Sequence, residues 1–524
     1  MRGRSRYLSF ALAALLVGTA GAARAATDGQ SIADAAQAHD KAAIRSLLSV
    51  GGDARGTQTD GTTALHWAAH LDDLELAALL IGAGADPSAT NDYGATPLTL
   101  ACTNGDANMV DALLAAGANP NAKGPSEETP LMLCARTGNA EAVSALLAKG
   151  ADVHARDADR GQTALMCAAA QNHPEILRVL IAAGADIHAR STGGFSPLLF
   201  AVRSGGLEST EILLDAGADI EEAGPRGMTP LVLASVSGHE ALGVFLLDKG
   251  ANPDAQDDDG ATALHYSALS GITAMNGVRY ANYVDHIFRP SLIELVKSLL
   301  AHGADPNIRL INTPSLGGDQ EPAGDGATPF VLAAATPDPE MMRLLVEAGA
   351  DPLLATTANL TPLMAAAGVG RGQDYTEKEL ERALLAVRLE VEWGADVNAA
   401  NDDGLTAMHG AASNGADEVV RYLVAQGANM DVWDKYQQTP LSVASGMRLP
   451  WIPYGDELGE IIQPSTAALL LELGATPLDT PEYFHPPEED SAVYRINQGQ
   501  RYDGVGAGPG AGAIRTPQPG RVDQ

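Results

Sequence analysis

His66, His265 and His409 each stand three residues after a threonine, Thr63, Thr262 and Thr406, in a recurring element. Imidazoles at matching places could form a row of metal ligands or bases. Other copies of the element carry Thr99, Met132, Met166 or Leu199 at that place, types that share no catalytic role. The three cysteines, Cys102, Cys134 and Cys167, are an odd number with no CxxC pair. They lie at different offsets among alanines, which suits small buried thiols better than a disulfide or a metal site. Acidic runs at Asp254, Asp257, Asp258 and Asp259, and at Asp402 and Asp403, carry carboxylates of the kind that bind hard cations. The spacing of a calcium loop with its distal Glu is absent, so these read as solvated acidic tips. Gly368-Val369-Gly370-Arg371-Gly372 looks like a phosphate loop but lacks the following glycine pattern and a preceding strand. No GxxxxGK[ST], HExxH or GxSxG occurs. The expectation is a chain with no catalytic residue, no cofactor and no metal.

These residues are positioned by a repeat. A Thr-Pro-Leu or Thr-Ala-Leu element starts at Thr63, Thr96, Thr129, Thr163, Ser196, Thr229 and Thr262, with steps of 33 or 34 residues, and recurs at Thr328, Thr361, Thr406 and Thr439. A Gly-Ala-Asp or Gly-Ala-Asn element follows each, at Gly84, Gly117, Gly150, Gly184, Gly217 and onward to Gly474. A threonine hydroxyl caps a helix N-terminus, and proline is tolerated in the first turn. Leu98, Leu131, Leu165 and Leu198 then face inward, while Ala101, Ala135, Ala168 and Ala169 let neighbouring helices approach. A second helix carries paired leucines such as Leu113-Leu114 and Leu146-Leu147, and the glycine after it can take the left-handed conformation that ends a helix. One such unit cannot bury both faces of its helices, so neighbours complete one another's cores. Replacing a stacked leucine such as Leu147 by alanine is expected to cost about 2–5 kcal/mol.

Thr63-Ala64-Leu65-His66-Trp67-Ala68-Ala69, Thr262-Ala263-Leu264-His265 and Leu79-Leu80-Ile81-Gly82-Ala83-Gly84-Ala85-Asp86 closely resemble the ankyrin repeat, over about residues 30 to 476. The resemblance implies an all-α fold of about 12 units including a degenerate N-terminal cap, each unit two antiparallel helices and a projecting β-turn, stacked as a solenoid. It implies that the repeated histidines bond to backbone and fix the hairpin. It also implies a scaffold that binds proteins.

The expected organisation is a signal peptide over 1–25, a capping repeat over 26–60, repeats over 61–476 and a Pro/Gly-rich, largely disordered tail over 477–524. Insertions interrupt the repeats near 272–291, 307–325, 371–382 and 449–462. Three of the four enter the joint between the first and second helix of a unit, and insertions on one edge often mark a binding face. They carry Tyr280, Tyr283, Phe288 and Arg289, then Tyr375, then Trp451 and Tyr454, types that dominate binding energy at interfaces. The expectation is a composite partner-binding edge; the alternative is that each insertion folds back over its own repeat.

Arg2, Arg4 and Arg6, the apolar run to Val17 and Ala23-Arg24-Ala25 form a signal-peptide pattern, short and bacterial in character. Losing it takes the formal charge from −33 to −37. Such a field repels nucleic acid and anionic lipid, and favours basic partners. No later stretch is apolar enough to span a membrane. The function expected is a monomeric, non-catalytic scaffold for protein partners, periplasmic or secreted, supporting an exported redox or stress-response enzyme. Alternatives are an enzyme or small-ligand binder using His286, Asp285, Asp374 and Glu457 on the insertion-lined edge, and an effector secreted toward another cell.

Overall fold

The computed structural model describes residues 31–269, 292–312, 324–370, 376–446 and 463–477. Within them are 24 α-helices and no strand, only the isolated bridges Thr57–Thr63 and Gln256–Thr262. The helices come in consecutive pairs, an inner helix after the threonine and an outer helix before the glycine. The pairs begin Ile32–Gln37 with Lys41–Ser49, Ala64–His70 with Leu74–Gly82, Pro97–Asn104 with Ala107–Ala115, and Pro130–Thr137 with Ala140–Ala148. Ala164–Ala170 with Pro174–Ala182, Pro197–Arg203 with Leu207–Asp215, and Pro230–Ser237 with Glu240–Asp248 continue the series. Ala263–Ala268 with Ile293–Ala301 and Pro329–Ala335 with Pro339–Glu347 follow. Pro362–Ala366 with Glu377–Glu392, Ala407–Ser413 with Asp417–Ala425, and Pro440–Ala444 with Pro464–Leu473 complete it.

Local chemistry accounts for each turn. In the third pair Thr96 is extended, its hydroxyl accepts the Thr99 N–H, Pro97 occupies the first helical turn, and Gly105 ends the helix at φ 75°. Asp106 then caps the outer helix. Within each of the chain's two compact bodies, inner helices pack on inner helices of adjacent units and outer on outer. Leu98, Leu131, Leu165 and Leu198, and Ala101, Ala135, Ala168 and Ala169, are all buried in these contacts. The chain divides into two compact bodies. The first holds almost all residues up to Asp351, the second almost all from Pro352.

Of each leucine pair, the member four residues before the ending glycine lies in the core. Leu146 is fully buried whereas Leu147 is only partly so. The stacked residue of that helix is therefore Leu146, in place of the expected Leu147, because the residue four before the ending glycine faces the inner helix. The same slot holds Leu80, Leu113, Leu180, Leu213, Leu246, Leu299, Leu345, Leu423 and Leu470, all buried. In the capping unit the slot holds Leu47, only partly buried, and one later unit departs altogether. Four residues before Gly394 stands Glu390, with none of its surface exposed. Its helix is also the longest described, 16 residues, because residues 377–382 of the second insertion extend it. Thr376 and Glu379 form a capping box there, and Arg382 pairs with Asp338 at 3.0 Å.

The cysteine expectation is corrected. Cys102 and Cys134 form a disulfide, their Cα atoms 4.6 Å apart, within the span a bridge requires. Alanines beside them bring the inner helices Pro97–Asn104 and Pro130–Thr137 close. Facing residues on two packed helices need not share an offset, so the unequal offsets bring the sulfurs together. Cys167 alone stays a buried thiol, its pKa pushed up by burial despite Arg136 nearby. Digestion of the oxidised protein without reductant is expected to release one linked peptide pair containing Cys102 and Cys134. Cys167 should alkylate only after unfolding. A protein in which all three cysteines alkylate once unfolded without reductant would contradict the pairing.

Candidate binding surface

The repeated histidines are built into the hairpins. His66 Nδ1 accepts the Thr63 N–H at 3.1 Å, so Nε2 carries the proton and donates to the Ala95 carbonyl of the next unit at 2.9 Å. His409 does the same between Thr406 at 3.2 Å and the Gln438 carbonyl at 3.2 Å. His265 accepts from Thr262 at 3.1 Å, but its Nε2 makes no hydrogen bond of full geometry among the described residues. Burial depresses all three, His265 and His409 to about 4, so each works as a neutral ring. Thr99 and Ser442 take the same cap N–H at 2.8 Å in their units. That explains why threonine and serine share a slot with histidine.

The acidic tips are also consumed by structure. Asp257 is buried and accepts the N–H groups of Asp259 and Ala261 and the Tyr266 hydroxyl, the last at 2.7 Å. Asp259 pairs with Arg226, and Asp403 with Lys435. Asp402 accepts from Asn359 at 2.7 Å. Between units, Asn121 donates to the Gly150 carbonyl at 2.9 Å and accepts the Asp152 N–H at 2.7 Å, and Asn307 and Asn398 repeat this bridge. The Gly368-Val369 stretch is a packing element. A Cβ on Gly410 would meet the Val369 backbone nitrogen at 2.7 Å, so only glycine lets the two inner-helix segments approach this closely.

Tyr280, Tyr283, Phe288, Arg289, Tyr375, Trp451 and Tyr454 lie outside the described residues, as do His286, Asp285, Asp374 and Glu457. The flanking helices place their segments in chain order between an inner and an outer helix. Elsewhere on that joint edge, Asp72 of one unit hydrogen-bonds Asp106 of the next, which raises Asp72 to about 6.

The inner helices and the residues entering them present another surface. Trp67 and His70 meet edge to face with ring centres 5.8 Å apart. Glu128, just before its cap threonine, accepts from Arg136 at 2.7 Å. Phe195, just before its cap serine, packs with Phe200 at 5.4 Å, and the Arg203 guanidinium lies 4.7 and 5.0 Å from the two ring centres. Tyr93 and Trp433 stand half-exposed on hairpins. None of these residues was marked as a site in the sequence. The signal was an aromatic one residue before the cap and a base seven after it, visible only once the units are aligned.

Models of ankyrin repeats match residues 32–124, 121–191, 198–280 and 379–452 as triple copies, and residues 325–357 as a single repeat. The chain belongs to the ankyrin-repeat family. Ankyrin repeats of this kind imply a protein–protein interaction scaffold. Among curated proteins, the chain is 34% identical over 115 residues to the B-cell lymphoma 3 protein homolog of Mus musculus, covering 22% of this chain and 24% of that protein. It is 31% identical over 206 residues to SH3 and multiple ankyrin repeat domains protein 2 of Homo sapiens, covering 31% of this chain and 11% of that protein. It thus spans a quarter or less of these relatives. No described helix of this ankyrin chain is long and apolar enough to cross a membrane.

Proposed function

We propose that this ankyrin chain is an exported, non-catalytic scaffold that holds a protein partner against its inner-helix surface and its insertion-bearing edge. The observation that carries the reading is the division of labour among polar side chains. The repeated histidines His66, His265 and His409 and the hairpin carboxylates Asp257, Asp259, Asp402 and Asp403 are committed to caps and hairpins, while Trp67, Tyr93, Phe195 and Arg203 remain partly accessible. Accessible aromatics and arginines are the types that make interface hot spots. The signal-peptide pattern supports export, and the Cys102–Cys134 bridge supports an oxidising compartment such as the periplasm. An exported redox or stress-response enzyme, with basic patches drawn to the acidic chain, fits that compartment.

The test is affinity capture from a periplasmic fraction with the mature protein, repeated after Tyr280→Ala, Tyr283→Ala, Trp451→Ala and Tyr454→Ala together. The expected result is a stoichiometric partner with the parent protein and weakened recovery with the quadruple variant. Unchanged recovery removes the insertion edge from the proposal. Accumulation of the protein in culture medium instead of the periplasm favours delivery to another cell.

A further inference from the structure

Two arginines occupy one slot of the repeat and are treated differently. Arg136 and Arg203 each stand seven residues after their cap, Thr129 and Ser196. In the first of these units the residue before the cap is Glu128, whose carboxylate accepts from Arg136 Nη2 at 2.7 Å. In the second the corresponding residue is Phe195. Its ring centre lies 4.7 Å from the Arg203 guanidinium, so at the repeat position that sets a carboxylate against Arg136 an aromatic ring is set against Arg203. Phe200 adds a second ring at 5.0 Å. No carboxylate pairs with Arg203 among the described residues. Arg160, on the preceding hairpin, likewise has no ionic partner there. The two charges feel each other: burial first, and then Arg160, hold the Arg203 pKa below its ordinary value. In a chain with 66 acidic and 33 basic residues, two neighbouring guanidiniums without carboxylates are a local exception to the field around them.

The chemistry of such a group is specific. Aromatic faces attract a guanidinium and hold its plane. Its N–H edges stay free to donate two parallel hydrogen bonds to one carboxylate. We propose that Arg203, held against Phe195 and Phe200 and assisted by Arg160, receives an Asp or Glu side chain from a partner peptide, replacing from outside the carboxylate that Glu128 supplies internally to Arg136. The occupant is an acidic anchor residue with apolar neighbours for the two rings. The long-range field of the scaffold favours basic residues further out, so the fitting segment carries a carboxylate at its centre and lysines at its ends. This rests on the scaffold reading and names the partner chemistry at one place on it.

A fluorescein-labelled peptide Lys-Leu-Glu-Leu-Lys, and the same peptide with Gln for Glu, are titrated by anisotropy into the full mature protein at low salt. The Glu peptide is expected to bind about tenfold more tightly than the Gln peptide, the range of a hydrogen-bonded charge pair. Arg203→Met is expected to abolish that preference and Arg160→Ala to reduce it. Phe195→Glu recreates the Glu128 arrangement and is expected to abolish it with Arg203 still present, while Arg136→Met leaves it intact. Circular dichroism checks that each variant is folded. Equal binding of the Glu and Gln peptides, or a folded Phe195→Glu variant that keeps the parent preference, overturns the inference. Either result leaves partner capture by the parent protein untouched, so the scaffold reading stands or falls by its own experiment.

Discussion

Glu390→Leu is expected to stabilise the second body by about 3 kcal/mol at pH 7. Glu390 occupies the slot that holds a buried leucine in the other repeats beyond the capping unit, and neither carboxyl oxygen has a hydrogen-bond partner among the described residues. Burial pushes its pKa up to about 9, from 4.5. An acid whose folded pKa is raised costs nothing below its unfolded pKa. The cost grows as pH rises from about 4.5 to about 9 and is constant above. His409, in the same body, works in the opposite sense. Its pKa is held near 4 by burial, so its contribution is intact above 6.5 and is lost as pH falls from 6.5 toward 4. From these two groups, parent stability should rise as pH drops from 9 to 6.5 and then level off, where the two slopes cancel. The Glu390→Leu protein should be flat from 9 to 6.5 and lose stability below. Glu390→Gln should flatten the alkaline limb without the gain from leucine packing. Urea unfolding followed by tryptophan fluorescence measures this, since Trp393, Trp433 and Trp451 all fall after Pro352. A parent profile that is flat between pH 7 and 9 would remove the argument.

Leu146→Ala is expected to cost about 2–5 kcal/mol, and Leu147→Ala clearly less than half as much. The two leucines are adjacent and chemically identical, but only Leu146 is fully buried between its inner helix and the neighbouring units. Removing it deletes packing on both sides at once, because each unit relies on its neighbours for a core. Hydrogen exchange should show the loss spreading from Ala140–Ala148 into the units at Thr96 and Thr163, and fading before the second body. Equal costs for the two substitutions would mean that the slot four before the glycine is not the stacking position.

Much of this fold is legible in the residues alone, and the reason is that its contacts are local. Thr96 caps, Pro97 starts and Gly105 ends one helix within ten residues, and a 33-residue step repeats the signal until chance is excluded. The histidines' lack of a catalytic role followed from the same repetition, since Met132, Met166 and Leu199 stand in the slot of His66, and the ankyrin resemblance implied the bond to backbone that His66 makes. What the residues did not disclose depends on how one unit faces the next. Cys102 and Cys134 sit at unequal offsets, and their pairing is decided by the approach of two alanine-lined helices. Leu146 and Leu147 differ only in which side of a helix meets the stack. Glu390 looks like one more surface acid in a chain with 66 of them until its helix is docked. Sequence determined the unit and its periodicity, because capping and turn chemistry act over a few bonds. Tertiary structure alone decided burial and the disulfide, because these depend on distances between residues of neighbouring units, such as the 32 positions that separate Cys102 from Cys134.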